Sequence, residues 1–237
     1  MRVEALSQLV ADPARAALFF DVDGVLAPIV PRPEDARVPE ATRRELRRLA
    51  AAYGLVACVT GRASAVAREI VGVRELRYAG EHGLELEPKA AAFAGRIHAF
   101  ARDSGWHDVE LKPFSATLHY RTSPEPDRAR ERLEAVARAA EEEGLRARFG
   151  RLVLEILPPV EASKGTAVAR LLEESRLRRA LYAGDDTTDL DGFAALAGLD
   201  VALRIAVASE EGPRALVERA DVVVASPAEL LELLRRL

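Results

Sequence analysis

Asp21 and Asp23 stand two residues apart where the apolar run Leu18-Phe19-Phe20 ends. Asp185, Asp186 and Asp189 crowd together just after a second run, Ala180-Leu181-Tyr182-Ala183. A hydrophobic strand that runs straight into carboxylates places them at its carboxyl end, the edge of an open α/β sheet where ligands bind. Carboxylates gathered there repel one another unless a cation holds them, and a hard, oxygen-seeking ion such as Mg²⁺ suits them. The expectation is a metal-bound aspartate that faces an anionic substrate.

Each segment has a chemical use and a plainer one. Asp21 can attack phosphorus in line and form an aspartyl-phosphate. Asp23 can protonate the leaving alcohol and then activate water. Asp-x-Asp-Gly is also an ordinary strand-end turn. Thr60, Gly61 and Arg62 close another apolar run, where a hydroxyl and backbone N–H groups can hold phosphate oxygens or simply cap the next helix. Lys164-Gly165-Thr166 opens a helix, and its ammonium can neutralise both phosphate and nucleophile or lie in solvent. It is not a P-loop, because Pro158 and Ser163 stand where that motif needs glycine. The acids at 185–189 would also suit a helix N-terminus.

The elements that must position these groups follow a strand–helix rhythm. Strands are expected over 17–20 and 55–59, with helices from Glu40 through Ala50 and from Ser64 to Ile70. After Gly83 the pattern changes. A helix over 93–101 precedes alternating strands over 108–112 and 116–121. A long charged helix over 125–143 follows, then paired strands over 145–157 with a turn at 149–151. The first rhythm then returns: helix 165–172, strand 180–183, helix 191–196, and strands 200–205 and 222–224, closed by the helix 227–234. Short continuous apolar runs between helices mean a parallel sheet covered on both faces. The middle reads as a small antiparallel sheet with helices on one side.

Composition narrows the class. In 237 residues the net charge is only -4, with both signs interleaved, so neither a nucleic-acid tail nor a basic membrane face is expected. No apolar stretch is long enough to span a bilayer, and the first residues lack the pattern of a signal peptide. Cys58 has no partner for an internal disulfide and reads as a core residue, which fits a cytoplasmic location. The chain has no asparagine, one glutamine and three lysines, Lys89, Lys112 and Lys164. Either a GC-rich genome or heat adaptation produces that bias. A lysine kept inside a motif is therefore an exception with a reason, since its compact ammonium differs from arginine's fork.

Taken in order, the four motifs resemble the haloacid dehalogenase superfamily of phosphotransferases. The resemblance implies an α/β Rossmannoid core with a parallel sheet and an inserted α+β cap. The core would be residues 1–84 with 158–237, and the cap 85–157. It implies Asp21 as nucleophile and Asp23 as acid/base, with Thr60 and Lys164 binding the transferring phosphoryl. Mg²⁺ would be held by Asp21, the carbonyl of Asp23 and Asp185, with Asp186 and Asp189 supporting. Glu81-His82-Gly83, Glu110-x-Lys112, Leu118-His119-Tyr120-Arg121 and Leu154-Glu155 are similar to segments of the trehalose-6-phosphate phosphatases. Gly61, Arg62, His82, Gly83, Glu110, Lys112, His119, Arg121 and Glu155 are then the substrate-binding candidates. The chain departs from that family at Val25, where threonine is usual, and at Leu190, where glutamate is usual.

Glu110 and Lys112 share one face of an alternating strand, as do His119 and Arg121, so a polar face able to meet sugar hydroxyls or plain solvent is expected. His98 and His107 read as surface residues. The resemblance implies a Mg²⁺-dependent phosphatase of trehalose 6-phosphate, supplied by an upstream trehalose-phosphate synthase. A phosphatase of glucosyl- or mannosyl-phosphoglycerate, a phosphomutase, and a sugar-phosphate-binding regulatory domain without catalysis are the alternatives. The intact Asp21, Asp23, Lys164 and Asp185 argue against the last.

Overall fold

The apolar runs become neighbours in one sheet, which brings the two acidic clusters to adjacent strand ends. A computed structural model describes residues 2–150, 152–209 and 212–237, with the side chains of Arg2 and Val3 excepted. In chain order, α1 (Arg2–Ala11) leads to β1 (Ala17–Phe20), α2 (Glu40–Ala52), β2 (Leu55–Val59), α3 (Ser64–Val71) and β3 (Arg77–Ala79). Next come α4 (Ala94–Asp103), β4 (Val109–Leu111), β5 (Ala116–His119), α5 (Pro126–Glu142), β6 (Arg146–Gly150) and β7 (Val153–Leu157). The chain then runs through α6 (Lys164–Ser175), β8 (Arg179–Gly184), α7 (Asp189–Ala195), β9 (Val201–Val207), α8 (Arg214–Arg219), β10 (Val222–Val224) and α9 (Pro227–Leu234). It divides into two compact units, residues 1–86 with 162–237, and residues 87–161.

The first unit is a six-stranded sheet in the order β10-β9-β8-β1-β2-β3, with parallel pairing throughout. Leu18, Phe20, Val56, Cys58, Leu181 and Ala183 pack on one face. Ala17, Phe19, Ala57, Val59, Ala180 and Tyr182 pack on the other. Burial on both faces is why these strands are continuous apolar runs rather than alternating ones. β2 and β3 step away from β1 on one side, while β8, β9 and β10 step away on the other. The strand order therefore reverses between β1 and β8, and a doubly wound sheet opens its ligand crevice at that reversal.

The second unit is an antiparallel sheet in the order β4-β5-β7-β6. Leu118, Leu154 and Ile156 pack on one face against Ile97 and Ala101 of α4 and Leu133 and Ala140 of α5. Glu110, Thr117, Glu155 and Arg148 form a single row across the four strands, each opposite the next. Of the expected turn at 149–151, Phe149 and Gly150 instead complete β6, paired opposite Leu154 and Val153, and Arg151 lies outside the described residues. No helix among the described residues is long and apolar enough to cross a membrane.

Three elements carry no clear signal in the sequence: α1, β3 and α8. β3 is only three residues, Arg77-Tyr78-Ala79, too short to show a strand's alternation, and owes its place to pairing with β2. Val25 is fully buried, and Leu190 packs against the core face that holds Phe19 and Tyr182. Both departures from the resembled family are thus packing positions.

Candidate active site

The end of β1 delivers Asp21, the end of β2 delivers Thr60, and the end of β8 delivers Asp185. Asp21 is nearly buried, and its Oδ1 accepts the Val22 N–H at 2.6 Å. Gly24 turns the chain away with φ of +76°, and a Cβ there would sit 2.0 Å from Asp185 Oδ2. Glycine is therefore required twice at one position, by the backbone and by the neighbouring carboxylate.

Lys164 reaches this edge from α6. Ser163 caps that helix, accepting from the N–H groups of Gly165 and Thr166, while Thr166 Oγ1 accepts the Ser163 N–H. The reciprocal cap fixes where the helix starts and so where its first side chain points. Lys164 Nζ donates to Asp21 Oδ2 and to Asp189 Oδ1, both at 2.7 Å. The lysine is buried, not solvated, and its compact ammonium bridges two carboxylates.

Asp21, Asp185 and Asp189 each offer a carboxylate oxygen within 4.8 Å of the others. Burial pushes the Asp21 carboxyl from its ordinary 3.8 up to about 7; Lys164 opposes the rise and Asp189 adds to it. Burial, with repulsion from Asp21 and Asp189, pushes Asp185 up to about 8. Burial works against the Lys164 ammonium, yet Asp189 and Asp21 outweigh it and hold the proton well above the usual range. Three carboxylates against one ammonium leave an excess of negative charge. The carboxylate oxygens of Asp21 and Asp185 at this edge fit a hard divalent cation.

The remaining candidates fall into distinct places. Asp23 is half-buried and is gripped by Arg62, whose Nε and Nη2 lie 2.6 and 2.7 Å from its two oxygens. Thr60 is buried, and its carbonyl accepts the His82 N–H while that of Arg62 accepts the Glu81 N–H. Glu81, His82 and Gly83 all take left-handed backbone angles, with φ of 49°, 54° and 96°. That costly turn sets His82 against Gly61, where a Cβ would come within 2.6 Å of Nε2. Asp186 stands apart from the acidic cluster: it is exposed and its Oδ1 accepts the Thr187 N–H.

In the second unit, His119 Nε2 lies 3.0 Å from Glu110 Oε2. Glu155 is buried, and its Oε2 accepts from both Nε and Nη2 of Arg148, at 2.9 and 2.6 Å. Lys112 follows β4 and is half-buried, whereas Arg121 is exposed. His107 is exposed as expected, but His98 is not a free surface residue. It is half-buried, with Nε2 2.7 Å from the Lys112 carbonyl. Arg148 and Tyr182 join these sites without belonging to any of the motifs. A phenol within an otherwise apolar strand that leads into carboxylates was the available signal for Tyr182.

A sequence model of the trehalose-phosphatase family matches residues 19–96 and 105–220. The chain belongs to the trehalose-phosphatase family. The trehalose-phosphate phosphatase of Mycobacterium marinum is 34% identical over 244 residues, covering 94% of this chain and 61% of that protein. The chain thus spans about three fifths of that relative's length. The C-terminal domain of a C. albicans trehalose-6-phosphate phosphatase superposes with a TM-score of 0.75 at 21% identity, over 98% of this chain and 94% of that one. A haloacid dehalogenase-like hydrolase from Bacteroides thetaiotaomicron gives 0.66 at 14% identity, over 93% and 98%. At such identities these two structures establish the fold, which is haloacid dehalogenase-like.

Proposed function

We propose that this family member is a Mg²⁺-dependent phosphatase that hydrolyses trehalose 6-phosphate through an aspartyl-phosphate. The observation that carries the reading is Lys164 Nζ, buried and shared at 2.7 Å between Asp21 and Asp189 beside a third carboxylate. A lysine so placed screens a carboxylate nucleophile from the phosphoryl oxygens it must approach. Asp21 and Asp185, with the Asp23 carbonyl, would hold the cation, and Asp189 would support them. The cation would supply charge neutralisation for the transferring phosphoryl.

In the first step a carboxylate oxygen of Asp21 attacks phosphorus while the bond to the sugar oxygen breaks. Asp23 gives its proton to that oxygen, and trehalose leaves as the neutral alcohol. In the second step Asp23 takes a proton from water, whose oxygen attacks the same phosphorus. The bond to Asp21 breaks, and phosphate departs. Thr60, the Gly61 and Arg62 backbone and Lys164 would bind the phosphoryl oxygens, with His82 and Gly83 lining their approach.

Residues 1–84 with 158–237 would form the catalytic core and 85–157 the cap that meets the sugar. Glu110, Lys112, His119, Arg121 and Glu155 would then supply hydrogen bonds to the disaccharide hydroxyls. A cytoplasmic trehalose-phosphate synthase would supply the substrate.

Phosphate release from a panel of sugar phosphates, with and without Mg²⁺, tests the reading. Trehalose 6-phosphate should be the best substrate, chelation should stop turnover, and Asp21→Asn should be inactive with an unchanged fold. Preference for another sugar phosphate would reassign the substrate. Near-normal release by Asp21→Asn would remove the nucleophile.

A further inference from the structure

Asp189 is fully buried and its carboxylate is fully used. Oδ1 accepts from Lys164 Nζ and from Tyr182 Oη, each at 2.7 Å. Oδ2 accepts from the N–H groups of Asp185 and Asp186, each at 2.9 Å. A carboxylate offers about four lone-pair sites, and here four donors occupy them. Asp185 differs: no hydrogen bond reaches its side chain among the described residues. Although Asp189 lies within the acidic cluster, it has no lone pair left to give a cation.

Tyr182 explains why that arrangement is rigid. It is fully buried on β8 beside β1, and its ring stands edge-on to Phe193 at 5.9 Å. The facing residue of α7 is Gly192, where a Cβ would fall 2.4 Å from the ring. The phenol therefore cannot swing away, and a buried hydroxyl that loses its acceptor is costly. Its proton goes to Asp189. The two backbone donors come from the same loop that carries Asp185, so Asp189 ties Tyr182, Lys164 and the metal-binding loop into one unit. Lys164 has three N–H donors; two point at Asp21 and Asp189, and the third is left for a phosphoryl oxygen.

We propose that Asp189 is a lysine-holding residue outside the metal shell, and that Tyr182 is a positioning residue which fixes Lys164 for phosphoryl transfer by holding Asp189. The inference rests on the phosphatase reading above. The test uses the full chain with Tyr182→Phe, Asp189→Asn and, as reference, Asp185→Asn. Steady-state kinetics on trehalose 6-phosphate are combined with calorimetric titration of Mg²⁺ alone and a thermal melt.

Tyr182→Phe should lose about tenfold or more in kcat with KM within about twofold, because the lost hydrogen bond acts on the lysine and not on the sugar. Asp185→Asn should lose nearly all Mg²⁺ affinity, whereas Asp189→Asn should keep measurable binding, weakened by no more than the roughly 10–100-fold typical of a residue that supports a ligand from outside the shell. Wild-type kcat in Tyr182→Phe, or loss in KM alone, would overturn the positioning role. A loss of Mg²⁺ affinity in Asp189→Asn as complete as that in Asp185→Asn would overturn its place outside the shell. Should Asp189→Asn melt below assay temperature, Tyr182→Phe decides, since it removes one oxygen and keeps the ring. If the parent releases no phosphate from any sugar phosphate, the phosphatase reading fails, and the calorimetry still decides where Asp189 belongs.

Discussion

Arg62 clamps Asp23 with two parallel contacts, Nε to Oδ2 at 2.6 Å and Nη2 to Oδ1 at 2.7 Å, while its Nη1 donates to the Pro33 carbonyl. The fork sets the plane of the carboxylate proposed to carry the proton. Lysine offers one point charge and cannot reproduce two parallel bonds. Arg62→Lys should therefore lower kcat by about tenfold, since misplacing a proton donor costs on the order of 1.4 kcal/mol in the barrier. Steady-state kinetics beside a thermal melt check this. An unchanged kcat with an unchanged midpoint would make the clamp dispensable.

Arg148 predicts a second effect, confined to the sugar. Both of its contacts go to Oε2 of Glu155, which keeps that buried carboxylate oriented along the row Glu110, Thr117, Glu155, Arg148. Glu155→Ala, Lys112→Ala and Arg148→Met should each cut activity on trehalose 6-phosphate by about tenfold or more, one charged hydrogen bond being worth about 1.5–3 kcal/mol. Release from a small generic phosphate ester should hardly change. Equal losses on both substrates would assign these residues to catalysis or folding instead.

The acidic cluster predicts how stability varies with pH. Asp21 and Asp185 are raised from 3.8 to about 7 and about 8 in the folded chain. The folded state thus holds their protons more tightly than the unfolded one. Their favourable contribution is complete below about pH 4 and is lost as pH rises through 7 to 8. In chelator, the melting temperature should fall between pH 5 and 8, and Mg²⁺ should restore most of the loss at pH 8. Asp185→Asn should flatten both responses. A melting temperature that rises over this interval would contradict the burial described for these carboxyls.

Heat resistance is the fourth prediction. The chain has no asparagine and one glutamine. Its helices carry exposed pairs one turn apart, such as Arg170 with Glu174 at 3.1 Å and Arg130 with Glu134 at 3.9 Å. Such pairs add little near room temperature, but the cost of desolvating them falls on heating. The unfolding midpoint should exceed about 65 °C, above the ordinary mesophile range. A midpoint inside that range would assign the composition to genome bias.

The inner strands were legible because burial on both faces leaves an unbroken apolar run, as in Leu55–Val59, and because their ends carry the charged groups. β3 was hidden because three residues hold no period, and only pairing with β2 makes them a strand. Asp21, Thr60, Lys164 and Asp185 could be picked out as types expected at strand ends and helix starts. Their partners could not. The fork from Arg148 to Glu155 joins two antiparallel strands, and the bond from Tyr182 to Asp189 spans a strand end and a helix start. Such pairs are fixed by register and by the aim of a side chain, which residue type alone does not encode. The contact of His98 is hidden for the same reason, since its partner is a backbone carbonyl fourteen positions away.

Asp21 and Lys164 lie 143 positions apart, and the whole unit 87–161 is threaded between them. During synthesis β1 can pair with β2 almost at once, but the flank that receives β8 stays open until Arg179 and beyond have left the ribosome. For all that time Ala17–Phe20 offers a row of unpaired backbone groups beside bare apolar side chains, the template onto which another chain can add. A product released before β8 is complete should therefore tend to aggregate. The charged pair that makes the site is also among the last connections the nascent chain can close.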